Sequence, residues 1–300
     1  MQKLNGIYTA LVTPFTTTGK IDFVSLEKLL DIQMNAKVSG IVILGTTGEN
    51  CTIDYYEKYK IIDFVQNKLN KHTKLIIGAG SNNTQQTINE IKGYSATNAD
   101  AIMVSPPAYN KPSQNGLYNH FKKIADESYK PIILYNIPAR TGVHLSIELI
   151  NKLKDHPNII GIKDASSDLE YAQKLIKLQD DKFSVLSGSD SLTLPLISIG
   201  YKGVVSVISN LIPNEMNYMI QKIQENDYRT ARILMNYMHD ITTCTMLESN
   251  PMPIKYMMSK LGLIKNKLRL PMTPLSSKHK KIIDQTMKNM ELLGDNLCVE

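Results

Sequence analysis

The chain alternates between continuous apolar runs and amphipathic stretches. Eight runs of apolar and β-branched residues begin near Gly6, Gly40, Lys74, Ala101, Pro131, Ile159, Phe183 and Gly203. Because they are continuous and do not alternate with polar residues, they predict parallel strands that are buried on both faces. Between them, stretches such as 26–30 and 87–91 carry apolar residues at helical spacing. The pattern therefore predicts a repeated strand-then-helix unit.

The spacing of these runs predicts a closed barrel. Successive strands start 20 to 34 residues apart, which is a natural length for one strand and one helix. Eight such units in residues 1–224 predict a (β/α)8 TIM barrel that carries the active site. A doubly wound open sheet is the alternative, but it needs a glycine-rich phosphate turn after an early strand. The one candidate turn, Gly78-Ala79-Gly80, lacks the third glycine.

Residues 225–300 follow a different pattern. They keep helical periodicity and contain no further apolar run that would make a strand. We expect them to form a C-terminal helical extension that packs on the barrel. Within the barrel, Asp54 with Glu57 and Ser167 with Glu170 have the spacing of capping boxes at helix starts.

Composition limits the setting and the partners. No stretch approaches the roughly 18 apolar residues of a membrane helix, and the N-terminus has no apolar signal core. Cys51, Cys244 and Cys298 are scattered thiols with no metal-ligand spacing. We therefore expect a cytoplasmic protein with no membrane partner. The net charge of +6 comes mostly from lysines spread along the helices, so no nucleic-acid partner is expected.

Lys163 closes the apolar run that begins at Ile159, and polar residues follow at once. A side chain at the end of a buried strand lies at the rim of the sheet and is partly removed from water. Desolvation disfavours an ammonium, and a free amine can attack a carbonyl to form a Schiff base. A surface lysine just past a strand is the simpler interpretation, so the neighbours of Lys163 decide between the two.

Those neighbours are predicted by the barrel, because its active site lies at the carboxyl ends of the strands. The ends carry Thr46 and Thr47 after the second run, Tyr109 after the fourth, and Tyr135 and Arg140 after the fifth. A tyrosine beside the amine can move protons, and an arginine can bind a carboxylate through two nitrogens. No cluster of histidine and acidic residues converges there, so metal catalysis is not expected.

Motifs along nearly the whole chain resemble the 4-hydroxy-tetrahydrodipicolinate synthase family, within the pyruvate-dependent class I lyases. They are ALVTPF at 10–15, GTTGE at 45–49, YNKPSQNGLYNHF at 109–121, LYNIPARTG at 134–142, GIKDAS at 161–166, LSGSD at 186–190, NPMPIK at 250–255 and LRLPMTPLS at 268–276. The resemblance implies that pyruvate and L-aspartate 4-semialdehyde condense through a lysine Schiff base. This is the first committed step of diaminopimelate and lysine biosynthesis.

The resemblance also implies roles for the matching residues. Lys163 forms the imine, and Tyr135, Thr47 and Tyr109 form a proton relay, with Tyr109 supplied by a neighbouring subunit. Thr46 and Thr47 bind the pyruvate carboxylate, while Gly188 and Val205 line the pyruvate end through their backbone. Arg140 binds the carboxylate of the aldehyde. The family also implies a homotetramer built from two tight dimers, and no cofactor, since pyruvate is a covalently bound substrate.

Two other functions are weighed against this one. An N-acetylneuraminate lyase-like enzyme of the same superfamily would typically lack Arg140. A catalytically dead barrel kept as a binding protein would have lost Lys163 or Tyr135, and the sequence retains both.

The effector pocket of lysine-inhibited members is only partly matched. Asn82 matches, but Ala108 stands where the family often has a tyrosine, and Gln86 replaces an acidic residue that pairs with the effector ammonium. Tyr55 and Lys58 replace histidines of enteric members. We therefore expect weak inhibition by lysine or none.

Overall fold

A computed structural model describes residues 4–292, so the thiol of Cys298 and residues 1–3 lie outside the described part of the chain. Eight parallel strands close into one barrel in chain order. They are β1 (Gly6–Ala10), β2 (Gly40–Ile43), β3 (Lys74–Ala79), β4 (Ala101–Val104), β5 (Ile132–Asn136), β6 (Ile159–Asp164), β7 (Ser184–Ser187) and β8 (Gly203–Ser206). The predicted (β/α)8 barrel is confirmed, and each strand starts within one residue of its predicted start.

Helices surround the barrel. Those up to the one after β8 are α1 (Phe23–Asn35), α2 (Tyr55–Lys68), α3 (Thr84–Gly93), α4 (Gln114–Glu127), α5 (Pro138–Thr141), α6 (Ile147–Leu153), α7 (Leu169–Leu175), α8 (Thr193–Ser198) and α9 (Pro213–Gln224). Three more helices follow, α10 (Tyr228–Cys244), α11 (Met252–Lys260) and α12 (Ser277–Asn289), and α10 packs on α9 and α12. The division into domains at residue 224 stays a prediction. In residues 4–292, no helix is long and apolar enough to cross a membrane.

The strands are apolar throughout because they are covered on both faces. One cluster fills the barrel interior, with Tyr8, Val42, Met103 and Val205 among its members. A larger cluster lies between the strands and the helices. Successive side chains of a strand point to opposite faces, so each strand contributes to both clusters.

The register between β5 and β6 positions the key side chains. Tyr135 pairs with Lys163, and Asn136 pairs with Asp164. Tyr135 belongs to the interior cluster, so its cross-strand partner Lys163 shares the interior face. The second pair faces the helices, where the Asn136 amide donates to the Asp164 carboxylate at 2.9 Å.

Helix starts follow the sequence in one case and differ in another. Asp54 and Glu57 form the predicted capping box at the start of α2. The box predicted from Ser167 and Glu170 is wrong, because Asp168 caps α7 by accepting from the Tyr171 amide. Ser167 has a φ of 58°, in the left-handed region, so the chain turns there before the helix begins.

Candidate active site

Lys163 and Tyr135 form the centre of the site. The Lys163 side chain is 5% exposed, and its Nζ lies 4.2 Å from the centroid of the Tyr135 ring. Within residues 4–292, Nζ makes no hydrogen bond or salt bridge. No hydrogen-bond partner therefore stands between this nitrogen and an incoming carbonyl carbon.

Gly188 makes room for this lysine. It follows β7, and its amide donates to the Asp164 carbonyl at 2.6 Å, which holds the two strand ends together. A Cβ at position 188 would lie 2.9 Å from Lys163 Cε and 2.7 Å from Ala165 Cβ. Any side chain there would displace the amine, so the LSGSD motif needs a glycine at this position.

Asp190 connects the ends of β7 and β8. Its Oδ2 accepts the amides of Val207 at 2.9 Å and Ile208 at 3.0 Å, just beyond Val205. Burial raises the pKa of this carboxyl, while hydrogen bonds from Ser206 and the two amides, and the charge of Lys163, oppose the rise. Val205 is fully buried in the barrel interior. The carboxylate thus fixes the loops at the end of the barrel where Gly188 and Val205 lie.

The GTTGE segment forms a tight turn between β2 and α2. Thr47 is buried and Thr46 is half-buried. A Cβ at Gly48 would lie 3.2 Å from the Leu44 nitrogen and 3.3 Å from the Leu11 carbonyl oxygen, so a larger residue there would require the backbone to shift slightly. Glu49 is buried with a φ of 55°.

Glu49 ties this turn to the C-terminal helices. Its carboxylate contacts Lys255 Nζ of α11 in a fully buried salt bridge, and it accepts the Arg269 amide at 3.2 Å. Burial lowers the pKa of Lys255 to about 8, while Glu49 opposes that change. Lys255 Nζ also donates to the Lys267 carbonyl at 3.1 Å. The segment that holds Thr46 and Thr47 is therefore anchored from outside the barrel.

Arg140 lies in a single helical turn. Pro138 occupies the start of α5, and Gly142 ends it in the left-handed conformation with a φ of 70°. This arrangement matches the preference for proline at helix starts and glycine just past helix ends. The Arg140 side chain is exposed at the mouth, and its Nη2 donates to the Asn250 carbonyl at 3.1 Å.

Asn250 is a residue that the sequence analysis did not place in the site. Its Nδ2 donates to Thr47 Oγ1 at 3.0 Å, and its carbonyl accepts from Arg140. It precedes α11, so a segment beyond the barrel reaches two of the predicted site residues. The NPMPIK motif was the one signal for it, but that motif carries no local indication of its spatial neighbours.

Tyr109 is not brought to Lys163 within this chain. It lies in the segment after β4 with its side chain 91% exposed and a φ of 64°. Next to it, the Ala108 amide donates to Asn82 Oδ1 at 2.9 Å. An exposed tyrosine held in an uncommon backbone conformation is compatible with insertion into a second subunit, which stays a prediction.

The positions compared with the effector pocket lie nearby. Gln86 Oε1 accepts from Ser81 Oγ at 2.8 Å, one residue before Asn82. Lys58 Nζ forms a salt bridge with Glu90 Oε1 at 2.7 Å. The charge of Lys58 is therefore already matched by a carboxylate. In residues 4–292, no group of three or more His, Cys, Asp or Glu side chains is placed to hold a metal ion.

Comparison with known proteins identifies the family. The sequence profile of the dihydrodipicolinate synthetase family matches residues 3–290. The chain belongs to this family. A Leptospira biflexa relative, named 4-hydroxy-tetrahydrodipicolinate synthase, is 42% identical over 271 residues, which are 90% of this chain and 92% of the relative. The predicted family and the lyase class are confirmed.

Solved structures agree with this family assignment. The dihydrodipicolinate synthase from Aquifex aeolicus is 36% identical, covers 98% of this chain and 100% of its own, and superposes with a TM-score of 0.93. A monomeric dihydrodipicolinate synthase variant is 33% identical, covers 96% of this chain and 97% of its own, and gives a TM-score of 0.94. The synthase family therefore has this fold over its whole length, while the sugar-acid lyase alternative gains no support.

Proposed function

We propose that this chain condenses pyruvate with L-aspartate 4-semialdehyde through a Schiff base on Lys163, as a 4-hydroxy-tetrahydrodipicolinate synthase. The observation that carries the proposal is a buried amine over the Tyr135 ring, without a hydrogen bond or salt bridge in residues 4–292. The full-length match to relatives named for this activity supports it.

The reaction follows from the chemistry of the amine. The Nζ lone pair attacks the C2 carbonyl of pyruvate, and the oxygen leaves as water after two proton transfers. The iminium then loses a methyl proton and becomes an enamine, whose carbon bonds to the aldehyde carbon while the aldehyde oxygen takes a proton. The amino group of the bound semialdehyde finally attacks the imine carbon, closes the ring and releases Lys163.

The remaining roles are assigned as follows. Tyr135 and Thr47 move the protons, and Thr46 and Thr47 bind the pyruvate carboxylate. Gly188 and Val205 line the pyruvate end, which fits their positions beside Lys163 and in the barrel interior. Arg140 binds the carboxylate of the semialdehyde at the exposed mouth.

Assembly and setting complete the proposal. Tyr109 completes the relay from a second copy of the chain, within a homotetramer made of two tight dimers, because its side chain is exposed while Lys163 of the same chain is buried. We place the enzyme in the cytoplasm. No cofactor is needed, since the Lys163 amine itself activates pyruvate.

The test is to trap the imine. The protein is treated with pyruvate and borohydride, digested, and the peptides are weighed by mass spectrometry. We expect the mass of a reduced pyruvoyl group on the peptide that contains Lys163, with Lys255, which is buried but paired, as the internal control. An adduct on another lysine, or on none, would overturn the proposed mechanism. A screen of aldehydes with untreated enzyme and pyruvate then tests the second substrate.

A further inference from the structure

Asn250 contacts both halves of the proposed site through different atoms. Its side-chain Nδ2 donates to Thr47 Oγ1 at 3.0 Å, and its backbone carbonyl accepts from Arg140 Nη2 at 3.1 Å. The two partners have separate proposed tasks, since Thr47 moves protons and Arg140 holds the aldehyde carboxylate. A change to the side chain therefore removes the contact with Thr47 and leaves the carbonyl that Arg140 contacts.

The amide donor has a chemical consequence for the threonine hydroxyl. A hydroxyl has one proton to donate and two lone pairs that accept. Because Nδ2 occupies one lone pair of Oγ1, the Thr47 proton is not consumed by Asn250 and stays available to another acceptor. A residue that passes protons must both accept and donate, and this contact keeps Thr47 in that state.

The contact is not needed to dock the extension on the barrel. Close by, the same turn is held by the buried Lys255–Glu49 salt bridge and by the Arg269 amide on the Glu49 carboxylate. Arg269 further donates to the Glu57 carboxylate and to the Thr52 carbonyl. The Asn250 amide thus adds one neutral hydrogen bond to a junction that charged contacts already fix.

We propose that Asn250 is a positioning residue that orients the Thr47 hydroxyl for proton transfer. This inference rests on the proposed function. It assigns part of the catalytic geometry to the C-terminal extension, although all catalytic side chains of this subunit lie in the barrel.

The test is a double-mutant cycle with Asn250→Ala, Thr47→Val and the pair of changes together. We expect Asn250→Ala to lower kcat about tenfold, the effect of one lost hydrogen bond, with little change in KM for the semialdehyde. In the Thr47→Val background the same change should have no further effect, because its partner is already gone. Asn217→Ala is the control, since it removes an equivalent amide contact, to the Ala36 carbonyl, away from the site.

A second variant tests the pH dependence of activity, which would not change if Asn250 had only a structural role. Asn250→Asp has the same shape, but an ionised carboxylate only accepts and would draw the Thr47 proton to itself. When protonated, the introduced carboxyl donates again. We expect the activity of Asn250→Asp relative to the original enzyme to be low at neutral pH and to rise as the pH falls.

Each result has a defined meaning. Additive losses in the cycle, or a pH-independent activity ratio for Asn250→Asp, would overturn the role of Asn250. Imine trapping with pyruvate is measured on the unaltered protein at the same time. If that trapping fails, the proposed function is wrong; if trapping and condensation succeed while the cycle is additive, only the inference about Asn250 fails.

Discussion

Lys163 and Lys255 are both buried, and each holds its amine over an aromatic ring, Tyr135 at 4.2 Å and Phe15 at 4.1 Å. Their other neighbours differ. Lys255 forms a salt bridge with Glu49 and donates to the Lys267 carbonyl. Lys163 has neither kind of partner within residues 4–292. An aromatic ring is thus common to both sites. The buried Asp190 carboxylate acts on Lys163 only through its charge, whereas Glu49 contacts Lys255 directly, so direct pairing distinguishes the two lysines.

The difference separates a structural lysine from the lysine that we propose to be the nucleophile. A buried ammonium is costly unless a carboxylate and hydrogen bonds compensate it, and Lys255 has both. Those contacts also keep its nitrogen away from a substrate. Lys163 lies at the carboxyl end of a barrel strand with space beside Gly188, so its amine can meet a carbonyl. Under the proposed function, two lysines of similar burial therefore have different roles.

The largest effect expected from this comparison is on activity at Lys163. Lys163→Met keeps the apolar stem and removes the amine, so no imine can form. We expect condensation to fall by at least about a thousandfold, with the free energy of unfolding unchanged or increased. Steady-state assays and urea unfolding of the same preparation check both statements. A variant that retained a tenth of its activity would show that Lys163 is not the nucleophile.

The next effect concerns stability at Lys255. Lys255→Met leaves the Glu49 carboxylate buried without its partner, so we expect a loss of about 3–5 kcal/mol in the free energy of unfolding. Changing Glu49 to Gln as well should recover much of that loss. Lys68→Met is the surface control, because its pair with Glu27 is exposed and is worth less than about 1 kcal/mol. Equal losses at both pairs would contradict the distinction drawn from burial.

The barrel could be predicted from sequence, and so could the side chains at its strand ends. Strands covered on both faces must be apolar along their whole length, so a short stretch of sequence is enough to locate each one. The rule that the site lies at the carboxyl ends then selected Lys163, Tyr135 and Thr47. Those three residues follow or end strands that the apolar runs already located.

The junction with the extension could not be predicted in this way. Asn250 and Thr47 are 203 residues apart, and Lys255 and Glu49 are 206 apart. A lysine or asparagine within a helical region has no local feature that identifies a partner so far along the chain. The same limit explains the incorrect capping box, since the left-handed φ of Ser167 depends on how β6 leads into α7.

Arg140 tests the proposed substrate and extends the comparison to a charge at the exposed mouth. We expect Arg140→Ala to leave imine formation on Lys163 intact and to reduce kcat/KM for the semialdehyde. Losing one charge-assisted contact of roughly 1.5–3 kcal/mol corresponds to about a ten- to hundredfold decrease. Borohydride trapping serves as the control for the pyruvate half. Normal efficiency with L-aspartate 4-semialdehyde would show that the second substrate is assigned incorrectly.

The smallest expected effect is inhibition by free lysine. Its ammonium, like that of Lys255, needs a carboxylate partner when it is buried. A bound ammonium needs a carboxylate when it is buried, and Gln86 is neutral. The nearby Glu90 carboxylate is already engaged by Lys58 at 2.7 Å, the Tyr94 hydroxyl at 3.0 Å and the Gly80 amide at 3.3 Å. The structure thus gives a different reason from the sequence for the same prediction: Lys58 competes for the carboxylate.

Lysine should therefore inhibit this enzyme only at about ten millimolar or above. The missing charge-assisted contact, worth roughly 1.5–3 kcal/mol, moves a submillimolar effector into that range. Steady-state assays with increasing lysine, accompanied by calorimetry, measure the effect. Gln86→Glu is the matched variant, and it should bind lysine more tightly because it restores a carboxylate. Half-inhibition of the unaltered enzyme below about a millimolar would contradict this prediction. It would mean that Glu90 releases Lys58 and binds the ammonium of the ligand. In that case Lys58→Met should strengthen the inhibition.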